Sequence, residues 1–379
     1  MGAYTIWRSL DGHTHIINFV AFSSSGELLA TGDDGGNVFI WTLSTGDRFQ
    51  SLPPHESEAV SCCWGDDKEL FVGYGNGEVH FFEHSRLSNK FERSSSVSAN
   101  QHGRHVASLA IHGNLLACCS SNGVHCWRIE RPVLRPVFNM FVDVREVRAV
   151  HFLDRHTILA TAIHEGQCIL LDVLSPSKPL WRRKLRHRIG ESAVSPDGTL
   201  LAITNLAAAV QVYEIVPTGL RLLHEFSSPM NTANNFPLQT CFAEIQGCVA
   251  AGSDNGEVRL WRLSSGAQLS LLHDVRKTYH SGGNGRKKLV QTVTAYSSAD
   301  HYYLASACAN GKQHMIRIWR RSCKTSASGI PVLRIATAVL VIFLIFAPPK
   351  CTLAATKWNA IATDAQTWWN ARVASTATA

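Results

Sequence analysis

Charge is scarce in this chain: of 379 residues, only 17% are Asp, Glu, Lys or Arg. Disordered chains pair high charge with low hydrophobicity, and the 45% apolar fraction excludes that class for the bulk of the sequence. The motifs that carry common chemistries are also missing. There is no Cys-x-x-Cys, no His-Glu-x-x-His, no Gly-x-Ser-x-Gly and no phosphate-binding loop. The 18 His residues are scattered through turns and strands. No Asn-x-Ser/Thr sequon and no N-terminal secretory signal is visible, and the 11 Cys are an odd number that cannot all pair internally. These absences favour a reducing compartment and structural thiols. The net charge of +7 is mild and spread along the chain, which argues against a specific nucleic-acid partner.

What is present is a repeat. Short apolar strands ending in a small residue recur at Leu29-Ala30, Phe71-Val72, Leu116-Ala117, Leu159-Ala160, Leu201-Ala202, Val249-Ala250 and Leu304-Ala305. The steps between the second residues are 42, 45, 43, 42, 48 and 55. The first copy reads as four strands: Phe19–Phe22, Leu28–Thr31, Val38–Trp41 and Arg48–Leu52. Between them lie Ser23-Ser24-Ser25-Gly26, Asp33-Asp34-Gly35-Gly36 and Ser44-Thr45-Gly46-Asp47, clusters that favour tight turns. An aromatic closes the third strand in most copies, as Trp41, Phe82, Trp127, Tyr213, Trp261 and Trp319, with Leu171 in the fourth. A period near 40–45 residues with a terminal Trp predicts an all-β, seven-bladed β-propeller, one four-stranded blade per copy.

Over roughly residues 4–321 these strings resemble the WD-repeat (WD40) family. The Trp-Asp dipeptide itself is replaced by Trp41-Thr42, Trp127-Arg128, Trp261-Arg262 and Trp319-Arg320, and the blade-opening Gly-His survives clearly only at Gly12-His13. The resemblance therefore implies the propeller with its buried Asp–His network largely lost. Tyr4–Leu10 has the pattern of an outer strand, and none follows Trp319, so the N-terminal strand is expected to complete the last blade and remove an exposed edge. Cys62-Cys63 and Cys118-Cys119 stand next to each other in strands, so one of each pair is expected in a sheet interface.

The domain plan is a propeller over residues 1–321, a linker over 322–329, a transmembrane helix over 330–347 and a short polar tail over 348–379. The helix runs between Pro331 and Pro348-Pro349. Eighteen residues span about 27 Å, close to a thin hydrocarbon core such as that of the endoplasmic reticulum. Arg334 lies one turn inside, where it can reach the headgroups. A helix buried against the ring is the other reading. Arg317, Arg320, Arg321 and Lys324 precede the segment, while Lys350 and Lys357 follow it, so the ring should face the cytosol.

Two basic runs are the candidate partner sites. Arg182, Arg183, Lys184, Arg186 and Arg188 join the fourth and fifth blades; Arg276, Lys277, Arg286, Lys287 and Lys288 lie in the long loop before the seventh. They read either as a patch for acidic protein segments or anionic lipid headgroups, or as ordinary solvated loops. No catalytic residue, metal ligand or cofactor site is expected. The function that follows is a membrane-tethered, non-enzymatic protein-interaction scaffold. The alternative is a propeller that binds lipid headgroups in membrane traffic or autophagy, and more distantly a propeller enzyme.

Overall fold

Ile17–Phe22, Leu28–Asp33, Val38–Thr42 and Arg48–Ser51 pair in that order into one antiparallel sheet in the computed structural model. The turns show why. Gly26 takes a φ of 72°, and the Ser23 hydroxyl accepts the Leu28 N–H at 3.2 Å, closing the first hairpin. In the second hairpin one Asp33 oxygen accepts the backbone N–H groups of Gly35 and Asn37 at 2.9 and 3.0 Å. Local side-chain bonds of this kind let Asp and Ser favour turns over regular structure.

The same meander repeats to give seven four-stranded sheets. Blades 1 to 6 occupy residues 17–51, 59–98, 106–141, 147–184, 189–227 and 240–272. Blade 7 is built from Leu289–Ser297, His301–Ala309 and His314–Ser322, and Thr5–His13 supplies its outer strand. That strand runs antiparallel to the last one, with Ile6 opposite Trp319 and Leu10 opposite Ile316. Seven apolar clusters fill the seven joints between neighbouring blades. In the closing joint Leu10 packs with Ile17, Leu29 and Trp41 from blade 1 and with Ile316 and Ile318 from blade 7. The structure describes residues 3–99, 105–121, 123–207, 209–227, 237–272, 289–309 and 314–323.

All seven repeat pairs fall in second strands, and the seven closing residues from Trp41 to Trp319 are buried in third strands. In copies two and four the pairing corrects the alignment by one residue. Leu70 faces Phe82 and Ile158 faces Leu171, as Leu29 faces Trp41. Phe71 and Leu159, not Val72 and Ala160, therefore stand where Ala30 does. The adjacent cysteines do more than expected. Cys118 and Cys119 are both fully buried and enter two different joints, as strand alternation requires.

The Asp–His network is intact in blade 1. His13 Nδ1 lies 2.7 Å from Asp33 Oδ2, its Nε2 lies 2.8 Å from the Thr31 hydroxyl, and Trp41 Nε1 donates to that hydroxyl at 2.9 Å. Blade 5 keeps half of it. Asn205 Oδ1 accepts Ala207 and Ala209 N–H at 3.0 Å each, so the turn is capped without a His partner.

The linker beyond Cys323, the expected helix at 330–347 and the tail at 348–379 lie outside the described residues. Among the described residues, no helix is long and apolar enough to cross a membrane.

Candidate functional site

The inner strands surround a central channel with a cavity of about 550 Å³. Six of the seven carry a register shift at the same place, just after the strand begins: Ile17/Phe19, Ala59/Ser61, Val106/Ser108, Val147/Ala149, Ile189/Glu191 and Val290/Thr292. A bulge leaves one residue unpaired and re-aims it. The residues skipped here are Asn18, Val60, Ala107, Arg148, Gly190 and Gln291, and all but Gly190 line the channel. The bulges sit where connections from the preceding outer strand arrive. We call this the upper face.

Polar bonds tie the blades together around this mouth. Asn18 Nδ2 donates to Asp34 Oδ1 at 2.8 Å within blade 1 and to the Ala59 carbonyl of blade 2 at 3.1 Å. The Ser61 hydroxyl donates to the Val106 carbonyl at 2.8 Å. Arg148 and Glu191 bridge blades 4 and 5, Nε to Oε1, at 2.5 Å. Deeper at the same joint, His151 Nε2 meets the Ser192 hydroxyl at 2.9 Å, and that hydroxyl meets Thr161 Oγ1 at 2.9 Å. Thr204 Oγ1 donates to the Leu238 carbonyl at 2.7 Å, and Gln239 N–H donates to the Gln291 carbonyl at 3.0 Å.

The electrostatics follow burial. The Glu191 charge holds the Arg148 guanidinium well protonated, while burial pushes the Glu191 carboxyl up against the pull of Arg148. Burial lowers the His151 imidazole to about 4, so it is neutral at physiological pH. A His–Ser pair can be half of a nucleophile. Here Ser192 is shared with Thr161, and the neighbouring carboxylate Glu191 is committed to Arg148, so among the described residues no acid orients the ring as nucleophilic catalysis needs. The arrangement is a set of inter-blade ties.

The structure divides the first basic run. Arg182, Arg183 and Lys184 are exposed on the outer strand of blade 4, Trp181–Lys184, where the Arg183 guanidinium donates to the Thr218 carbonyl of blade 5. Only Arg186 and Arg188 lie in the connection on the upper face. Arg188 Nη2 approaches His164 Nδ1 at 3.5 Å, and His164 Nε2 lies 3.2 Å from Glu146. Arg276, Lys277, Arg286, Lys287 and Lys288 lie outside the described residues. The ring of Asn18, Arg148 and Gln291 escaped the sequence reading. Arg148, a lone charge within the apolar strand Val147–Phe152, was the one available signal.

Residues 5–42 match the family model described as WD domain, G-beta repeat. That stretch contains His13, Thr31, Asp33 and Trp41, the four residues of the intact network. The fold is a seven-bladed β-propeller whose first blade matches the WD-repeat model. It is similar to the β-propeller domain of Cps50 (Swd1) from Myceliophteria thermophila, with a TM-score of 0.66 and 17% identity over 84% of this chain and 99% of that one. Among curated proteins, echinoderm microtubule-associated protein-like 2 of Rattus norvegicus is 22% identical over 68% of this chain and 45% of its own length. The periodic tryptophan protein 2 homolog of Dictyostelium discoideum is 23% identical over 56% of this chain and 24% of its own. This chain thus spans less than half the length of the curated relatives it matches. WD-repeat propellers act in general as non-enzymatic scaffolds that bind other proteins.

Proposed function

We propose that this WD-repeat ring is a protein-interaction platform that receives its partners on the upper face around the channel mouth. The observation that carries the reading is how the polar groups divide. The buried ones hold neighbouring blades together, while Asp34, Glu58, Arg145, Arg186 and Arg188 stand exposed around them. A rigid frame with charged loops at one face concentrates recognition in a few loop residues. One relative named above is, by its name, microtubule-associated, which fits a ring that binds other proteins. The platform is tethered by residues 330–347, with the ring on the cytosolic side. This part of the proposal rests on the apolar run, the bounding prolines and the Arg/Lys excess before the segment.

Proximity labelling in cells tests the binding face. Arg186→Glu with Arg188→Glu should deplete a defined set of neighbours, while Lys68→Glu with Arg155→Glu, in exposed turns on the opposite face, should leave that set intact. The same losses from both pairs would refute the assignment. The tether has its own test. Alkaline carbonate should leave the full-length protein in the membrane fraction, and its release would remove the tether without touching the binding face.

A further inference from the structure

Blade 2 has lost the network that locks blade 1. By register, Tyr74 stands where Asp33 does, Val72 where Thr31 does and Phe82 where Trp41 does. The hydroxyl and the carboxylate that hold His13 are therefore gone. The incoming connection nevertheless brings a histidine, His55, to this place. Its N–H donates to the Gly36 carbonyl at 3.1 Å. Gly36 has a φ of 72°, and a Cβ there would sit 2.0 Å from the His55 carbonyl oxygen, so the connection is held in one position.

His55 then meets a second histidine over one carboxylate oxygen. His55 Nε2 lies 3.1 Å from Glu78 Oε2, and His80 Nε2 lies 2.9 Å from the same oxygen. Glu78 and His80 are two apart on the third strand, Glu78–Ser85, and so share a face. The three ligand atoms lie within 4.8 Å of one another. Tyr74 packs against both rings, with centroids 3.9 Å from His55 and 4.7 Å from His80. Its hydroxyl is buried and has no hydrogen-bond partner among the described residues, although burying such a group unpaired is costly.

From this geometry we propose that His55, Glu78 and His80 bind one zinc ion. Zinc takes imidazole nitrogen at about 2.0–2.1 Å and carboxylate oxygen at about 2.0–2.2 Å in tetrahedral array, which places ligand atoms about 3.4 Å apart. The contacts of 2.9 and 3.1 Å need to open by only a few tenths of an ångström. Glu78, 42% exposed, has the freedom to give way, while His80 at 4% and His55 at 15% are fixed by packing. Two imidazoles and one carboxylate suit zinc better than the oxygen-seeking calcium or magnesium. His55 Nδ1 lies 3.0 Å from the Ser57 N–H and 3.3 Å from the Ser57 carbonyl. Nδ1 accepts the Ser57 N–H in the metal-free ring, so zinc at Nε2 moves the ring proton to Nδ1 and exchanges that bond for one donated to the Ser57 carbonyl, the usual backing of a histidine ligand. Water would complete the four-coordinate shell. The ion clamps the connection to the third strand of blade 2, in place of the lost network.

The test uses the full-length protein, stripped with chelator and dialysed against zinc. Wild type should hold one zinc more than His55→Gln or Glu78→Gln by elemental analysis, and each variant should bind that zinc at least about tenfold more weakly. Zinc should raise the melting temperature of wild type and not that of either variant. Cobalt should report the site by visible absorption without a thiolate band, which separates it from any cysteine site. Equal zinc content in wild type and Glu78→Gln, with both folded by circular dichroism, would overturn the proposal. Should Glu78→Gln fail to fold, the same comparison with His55→Gln decides.

Discussion

Replacing Asp33 with Ala removes five hydrogen bonds, from four donor groups, at once. Its Oδ2 accepts from His13 at 2.7 Å, and its Oδ1 accepts from the N–H groups of Gly35 and Asn37 and from Asn37 Nδ2 at 2.9 to 3.0 Å. The His13 and Asp33 side chains are both fully buried, so the truncation leaves the imidazole without its partner. Breaking a buried pair from one side costs about 3–5 kcal/mol. Asn205→Ala in blade 5 removes only the two turn bonds and should cost about 1–2 kcal/mol. The comparison separates the network from the turn. Burial raises the Asp33 carboxyl, but the bonds from His13 and Asn37 outweigh it and hold the group below its ordinary value. A depressed carboxyl stabilises the fold above its unfolded pKa, and that contribution is lost as pH falls through the folded one. The gap between Asp33→Ala and wild type should therefore be constant above about pH 5 and shrink below about pH 4. Urea titrations of full-length protein, followed by tryptophan fluorescence, read both quantities. A loss for Asp33→Ala no larger than that for Asn205→Ala would refute the reasoning.

Three further outcomes follow from the ring. Arg148→Ala should cost about 3–5 kcal/mol by leaving Glu191 buried alone, and the double change Arg148→Met with Glu191→Leu should recover most of it in urea unfolding. His125 is buried and its imidazole is lowered to about 4, so unfolding takes up a proton between that value and about 6.5 and stability rises with pH across the window. The contribution lost at pH 5 is about 2 kcal/mol, and His125→Asn should flatten the pH profile of the urea midpoint. Leu10→Ala should destabilise the closing joint by about 2–5 kcal/mol and promote aggregation through the freed edge, readable by light scattering on heating.

The repeat was legible because each blade needs the same buried middle strands and the same turns. Copies two and four slipped by one residue for a physical reason. Second strands are buried on both faces in copies one to five alike, so no alternation of apolar and polar residues pins the register, and in copies two and four Val72 and Ala160 imitate Ala30. The bulges around the mouth left no sequence mark, since Asn18, Val60, Ala107, Arg148, Gly190 and Gln291 share neither size nor charge. The run Arg182–Arg188 looked like one loop, but its first half is an outer strand in which Trp181 is buried and the other side chains face water and tolerate charge. His55, Glu78 and His80 were invisible as a group, because only the pairing of blade 2 and the connection over Gly36 bring them together.

The central claim, that partners dock on the upper face, is tested most directly by hydrogen exchange on full-length protein with and without a partner whose labelling depends on Arg186 and Arg188. The account predicts protection in residues 143–146, 163–166 and 186–188, with exchange unchanged in the opposite-face turns at 66–68 and 154–156. Protection confined to those opposite-face turns, or to the outer strand at 181–184, would contradict it.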